Sequence, residues 1–400
     1  MEQENKKQEE IKSNKLTLST NPHIKDKDNV NNIMWRVIIA LLPATIAGIY
    51  FFKTRALWTI IGSVIFAVLT ELIIEILTKK PLTIKDGSAV VTGLLLALTL
   101  SPLVPSWIPM IGAIFAIAIA KHIFGGLGHN IFNPALAGRA FLVASWPALM
   151  TQWLLPDGAT GATPLGLLKL EGIKTGYSQL FLGNIGGSIG ETSAIALLLG
   201  AAFLFYKKII DWRIPATYIG TAFVFAIIFR QDPLFHILAG GLLIGAFFMA
   251  TDYVTSPLTN KGKIIFGFGC GFLTIILRLF STYPEGVMFS ILLMNATTPL
   301  IDRFTRPMPF GYRKPAKKKE EKPIEMSEIA PRNLPALARS KGAISEHAQK
   351  HAPYFSTGSV FDKTKENKGP EIDLLDKKGH KVKLEVFDEK ASAKKRDKNE

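Results

Sequence analysis

The 400-residue chain carries 47 Lys and Arg against 32 Asp and Glu, a net charge of +15, and a single cysteine, Cys270. One thiol excludes an internal disulfide framework, and it cannot by itself hold an iron–sulfur cluster or a structural zinc. The basic excess lies in the tails and in short links beside apolar runs, without an aromatic–basic platform, which argues for membrane-flanking charge and against nucleic-acid binding.

The chain divides into a polar N-terminal arm over 1–32, an apolar body, and a Lys-rich tail over 306–400. The arm ends in Ser19-Thr20-Asn21-Pro22-His23-Ile24-Lys25-Asp26, where Pro22 biases Asn21 towards extended backbone. His23 reads as a solvated surface residue, and no His, Cys or Asp spacing suggests a metal. The first apolar run starts too late and is too long for a cleavable signal.

The first membrane half is expected over 33–149. Its opening spans are Ile33 to Phe52, with Pro43 inside, and Leu57 to Leu77; about 20 residues at about 1.5 Å each cross about 30 Å of hydrocarbon. Lys53 and Arg55 lie between them. Glu71 and Glu75 fall on one face of the second span. A carboxylate at membrane depth must be paired, protonated or wetted, so both are ion-pathway candidates, unless they sit near an end where lysines and water satisfy them.

Ser88 to Leu100 is apolar but short, and it breaks at Ser101-Pro102-Leu103. A helix over Ile108 to Phe124 follows, then the interruption Gly125-Gly126-Leu127-Gly128-His129-Asn130-Ile131-Phe132-Asn133-Pro134, then a helix carrying Arg139. A polar loop over 150–190 holds Pro156-Asp157-Gly158-Ala159-Thr160-Gly161-Ala162-Thr163-Pro164-Leu165, a small-residue island that exposes one hydroxyl, Thr163, in an uncluttered turn. It closes with Asn184-Ile185-Gly186-Gly187-Ser188-Ile189-Gly190-Glu191-Thr192-Ser193. Thr192 or Ser193 is the expected cap of the next helix, and the glycines form a weak candidate anion cradle.

The second half, over 191–305, is expected to hold spans near 193–206, 214–229, 234–250, 264–280 and 285–301, with Asp252 interrupting the chain in Thr251-Asp252-Tyr253-Val254-Thr255-Ser256-Pro257-Leu258. In the tail, 313–326 reads as disordered and 371–389 as a small hairpin around Lys378-Gly379. Two landmarks recur: Ser101-Pro102-Leu103 with Asn133 to Arg139, and Ser256-Pro257-Leu258 with Asn295 to Arg303. The expected fold is therefore an all-α integral membrane protein of about ten transmembrane helices in two inverted five-helix halves with broken helices. Basic tails and the Lys207–Arg213 link then place both termini in the cytoplasm and the Thr163 loop outside; Lys53 and Arg55 fall on the opposite side from that rule.

Over about residues 16–312 the chain resembles the D subunit of the Rnf electron-transport complex, related to the B subunit of the sodium-translocating NADH:quinone oxidoreductase. The matching residues are Asn21 to Ile24, Thr160 to Leu165, Gly186 to Ser193, Thr251 to Leu258, Tyr283 to Val287 and Asn295 to Arg303. The resemblance implies FMN joined by a phosphoester to Thr163, the second hydroxyl of the Thr160-Gly161-Ala162-Thr163 motif, and attached by a separate flavin transferase. It also implies a second, noncovalent flavin (riboflavin), partnership with the other Rnf subunits in the cell inner membrane, and one-electron traffic between a ferredoxin side and NAD coupled to Na+ or H+ movement. Arg36 stands where an acidic residue is expected, and the tail beyond 315 is longer than expected. A passive channel or carrier of inverted-repeat type and a non-redox docking scaffold are the competing readings; neither needs a small-residue hydroxyl turn.

Overall fold

The computed structural model describes residues 29–79, 81–281 and 286–307, and two short strands in the tail. The chain forms two units, Met1–Arg313 and Lys314–Glu400. In the second, Leu374–Leu375 pairs antiparallel with Lys381–Val382, Leu374 opposite Val382, where the hairpin around Lys378-Gly379 is expected. The Asn21-Pro22-His23-Ile24 motif, the 313–326 run and Tyr283 to Glu285 lie outside the described residues.

The first unit is helical. Val30–Leu77 runs as one helix of 48 residues except at Lys53, whose φ of 54° and ψ of −133° break it into two arms. A non-glycine residue is strained there, so the two expected spans meet at a sharp backbone kink with no loop between them. Val30–Leu77 and Asn260–Phe280 are long and apolar enough to cross a bilayer.

The surface is inverted relative to a water-soluble protein. Ile46, Tyr50, Trp58, Leu77, Leu199 and Val224 face outward, whereas Ser63, Glu71, Lys121, Asn133, Asn295 and Ser290 are buried. Exposed apolar side chains over an apolar core that also buries polar groups suit a hydrocarbon solvent. Without a hydrophobic drive between helices, close backbone approach must hold them. Gly93 has Val64 Cα 2.9 Å from where a Cβ would stand, and a Cβ at Gly200 would collide with the Ala40 carbonyl.

Two broken helices enter this core. Ser88–Leu98 stops before Ser101-Pro102. Its freed carbonyls are taken by the glycine loop: Gly190 N–H donates to Leu98 O at 2.7 Å, and Ile189 N–H donates to Leu100 O at 3.0 Å. The Gly186 to Gly190 stretch thus closes a helix C-terminus; a Cβ on Gly190 would lie 2.8 Å from that of Leu98. The expected span at 234–250 is likewise interrupted. Pro233–Leu238 ends, the chain turns at Gly240 with φ +69°, and Leu242–Ile244 passes into a wide turn over Gly245–Met249. The Trp107–Phe115 helix widens in the same way over Ala116–His122. Such widened turns free backbone groups and recur at functional positions.

Candidate functional site

Thr163 is the N-cap of the Pro164–Glu171 helix. Its φ of −66° and ψ of 159° are extended, Pro164 fixes the first helical turn, and Gly166 N–H donates to Thr163 Oγ1 at 3.1 Å. This follows from the sequence, since a hydroxyl before Pro is a strong helix start. The motif residues ahead of it form a hairpin leg: Thr160 pairs with Leu154 and Gly161 with Trp153. A Cβ at Gly161 would sit 2.7 Å from Leu155 Cδ1, so a larger residue requires the Leu155 side chain to move. Ala162 joins the strand to the cap.

The hydroxyl is less open than the sequence suggests. Thr163 is 8% exposed, because capping turns its oxygen toward the helix. It borders a small cleft with Pro164, Leu165, Ile185, Glu191 and Gly240. An ester on Oγ1 leaves that oxygen able to accept from Gly166, and a phosphodiester anion at a helix N-terminus meets favourable backbone dipoles. The residues present therefore fit a phosphoryl-linked group.

The two carboxylates of the second arm part company. Glu75 is used locally: Oε2 accepts from the Thr83 N–H at 3.0 Å, and Oε1 accepts from the Thr83 hydroxyl. Glu71 is buried deeper and faces Lys121, whose Nζ lies 2.6 Å from Glu71 Oε1 and 2.7 Å from Ser88 Oγ. His122 Nε2 is 3.8 Å from the same Glu71 oxygen, and Glu71 Oε2 has no hydrogen-bond partner. Lys121 was hidden in the sequence: it is one cation at the end of an apolar run and looks like a cytoplasmic flank.

Lys121 also lines a cavity that is open at one side. The wall combines Thr92, Asn130, Asn133 and Asp252 with apolar Leu95 and Phe247. With Lys121, these polar groups come from four separate segments, and the sequence pointed only to the Asn130–Asn133 interruption and to Asp252. An apolar slot with a few convergent donors and acceptors is the usual form of a small-molecule site.

A third polar cluster lies inward of Thr163. Glu191 shares the Thr163 cavity and a neighbouring one of about 360 Å³ lined by Thr99, Arg139 and Arg278. Arg139 Nη1 stands 3.9 Å from Glu191 Oε1, and Arg278 donates to the carbonyls of His236 and Ala239. Ser193, not Thr192, caps the following helix, accepting from Ala196 N–H at 3.4 Å. Among the described residues no group of three or more His, Cys, Asp or Glu has a metal-binding arrangement.

The sequence profile described as the NQR2, RnfD, RnfE family matches residues 17–311. The chain is 51% identical over 327 residues to the D subunit of the proton-translocating ferredoxin:NAD(+) oxidoreductase complex of Clostridium ljungdahlii, covering 76% of this chain and 99% of that protein. It is 52% identical over 306 residues to the D subunit of the Na(+)-translocating ferredoxin:NAD(+) oxidoreductase complex of Acetobacterium woodii, covering 75% and 96%. It is 42% identical over 297 residues to the D subunit of the ion-translocating oxidoreductase complex of Methanosarcina acetivorans, covering 74% and 97%. The chain belongs to the NQR2, RnfD, RnfE family.

Proposed function

We propose that this chain is the D subunit of an ion-translocating ferredoxin:NAD oxidoreductase complex of the Rnf type, carrying FMN as a phosphoester on Thr163 and a second, noncovalent flavin in the Lys121–Asp252 cavity. It passes electrons in a step coupled to Na+ or H+ movement, within the cell inner membrane and with the other Rnf subunits; a flavin transferase loads Thr163. Family membership and the names of the relatives support the complex. The observation that carries the covalent flavin is the Thr160-Gly161-Ala162 leg, which delivers the Thr163 oxygen to a helix start beside a cavity.

Flavins supply one-electron traffic and the protein tunes it through nearby groups. In this chain, Gly161 admits close packing ahead of the acceptor, Pro164 fixes the chain after it, and the Pro164–Glu171 dipole favours the phosphoryl charge. In the large cavity, Asn130, Asn133 and Asp252 offer donors and acceptors to a polar ring edge, while Leu95 and Phe247 cover its faces. Glu71 belongs to the ion pathway; Glu75, bound to Thr83, is a structural residue. Two inverted halves of about five spans are supported by the paired breaks after Ser88–Leu98 and Gly245–Met249, and they place the Thr163 loop on the outer face with both termini inside.

The test is a denaturing gel of the protein made in a host that carries the transferase. The wild-type band should fluoresce as flavin, Thr163→Ala should not, and the tryptic fragment containing Thr163 should carry the added FMN mass. A dark wild-type band with an unmodified fragment defeats the redox reading and leaves the passive carrier or the scaffold.

A further inference from the structure

We propose that Lys121 is a shared cation that couples charge in the large cavity to ion binding at Glu71. Its ammonium is 2% exposed and does two things at once: it pairs with Glu71, itself 1% exposed, and it forms part of the cavity wall. The inference rests on reading that cavity as the site of a ligand that gains negative charge when it accepts an electron.

The geometry gives one positive charge two negative claimants. With the cavity occupant uncharged, Lys121 is held by Glu71 and by Ser88 Oγ at the start of the Ser88–Leu98 helix. Lysine is a point charge on a flexible stem with three rotatable donors, so a small rotation re-aims it without moving backbone. One electron arriving in the cavity from the low-potential donor side adds one negative charge at the wall. The ammonium, keeping its proton, swings toward it. Glu71 then stands as a buried carboxylate without its counterion, which is untenable at this burial.

It is restored by one cation, a proton or Na+, taken at Oε2, the oxygen that has no partner. One electron in and one cation in leaves the net charge unchanged. On reoxidation Lys121 returns and displaces the cation. The other charged and titratable groups facing Glu71 are His122 on the Lys121 helix, Glu75 on its own helix, and Asp86 in the turn before Ser88. Asp86 is engaged by the Ser88 N–H and hydroxyl, both at 2.7 Å, and Glu75 by Thr83, so neither competes for Lys121.

Carbodiimide labelling reads this directly, because dicyclohexylcarbodiimide modifies buried carboxyls when they are protonated and is blocked when a cation or an ammonium holds the carboxylate. The purified complex is labelled air-oxidised and dithionite-reduced, in low sodium, and the peptide bearing Glu71 is quantified by mass spectrometry. Wild type should label several-fold more when reduced, and added NaCl should protect only that state if Na+ is the ion. Lys121→Met should label strongly in both states. Lys121→Arg, which keeps the charge, should label weakly when oxidised, and this arm stands even if the Met variant fails to assemble.

Equal labelling of oxidised and reduced wild type overturns the proposal, as does redox-dependent labelling that survives Lys121→Met or strong oxidised-state labelling of Lys121→Arg. Acid-extractable flavin is measured on the same wild-type sample. Flavin present with no redox dependence sinks this coupling alone; flavin absent with no redox dependence sinks both the coupling and the cavity assignment.

Discussion

Asn133 and Asn295 meet at the centre of the first unit. With the Asn295 amide oriented to satisfy both of its ends, its oxygen accepts from the Asn133 N–H at 3.1 Å, while its nitrogen donates to Thr255 O and Ile291 O at 3.3 Å. Asn133 in turn caps the Pro134–Ser145 helix through Ala135 and Leu136 N–H groups and donates from Nδ2 to Met249 O at 3.2 Å. Each recurrent landmark thus ties off backbone freed by the break near Met249 and Thr255. In hydrocarbon those groups have no water to turn to.

Asn295→Leu should therefore be costly out of proportion to its size. It leaves the buried Asn133 N–H without its acceptor, at about 1–3 kcal/mol, while the Thr255 carbonyl keeps the Thr298 hydroxyl at 2.9 Å. Thermal unfolding of the detergent-solubilised protein, followed by intrinsic fluorescence, checks this. A melting temperature equal to wild type would mean that the asparagines do not brace the broken helices.

Gly200→Leu tests the packing of Ala194–Tyr206 against the Val30–Leu77 helix. The glycine lets its helix approach the Ala40 backbone, and Phe248 Cζ would lie 3.0 Å from an added Cβ. Overpacking typically costs about 1–3 kcal/mol. The expected result is loss of folded protein on size-exclusion chromatography, whereas an exchange at Gly220, which has open space around it, should be tolerated.

Glu71 and Glu75 should separate by phenotype. Glu71→Gln should impair ion-coupled turnover in proteoliposomes with gel-fluorescent flavin retained. Glu75→Gln should leave coupling intact and weaken the turn at Thr83, costing on the order of 1 kcal/mol for a lost charge-assisted hydrogen bond. Equal loss of coupling in both variants would return Glu75 to the pathway.

Asp211 supplies a pH test outside the membrane spans. Its burial pushes the carboxyl up, but the Arg213 N–H and the Lys263 and Arg213 side chains outweigh that and hold it below its ordinary 3.8. Lys263 Nζ and Arg213 Nη1 both lie 2.9 Å from Asp211 Oδ2. A depressed carboxyl stabilises the fold above its unfolded value, and that contribution fades as pH falls through and below about 4. Asp211→Asn should lower the melting temperature at pH 7, and the gap to wild type should shrink toward about pH 3. A gap that is unchanged by acid would remove the ion pairs from the account.

Local rules made part of this legible. Ser193 is one of the two caps expected for the helix that follows, and the Ser101-Pro102 and Ser256-Pro257 pairs lie just outside helices, as expected. Other features took their meaning from packing. The glycines at 186–190 resemble an anion loop because glycine permits close approach without specifying to what; here they meet the end of Ser88–Leu98. Thr163 reads as open because neighbouring side chains are small, yet its cap bond and the packing of Leu165 and Ile185 close it.

Sequence alone determined the apolar runs, the breaks between them and the hydroxyl motif, because these follow from composition and from backbone restrictions within a few residues. Tertiary structure decided which charges are partners. Glu71 and Lys121 are 50 residues apart and Asn133 and Met249 are 116 apart. A buried charge or amide takes its meaning from what stands opposite it, and in an apolar medium that choice is made by helix packing.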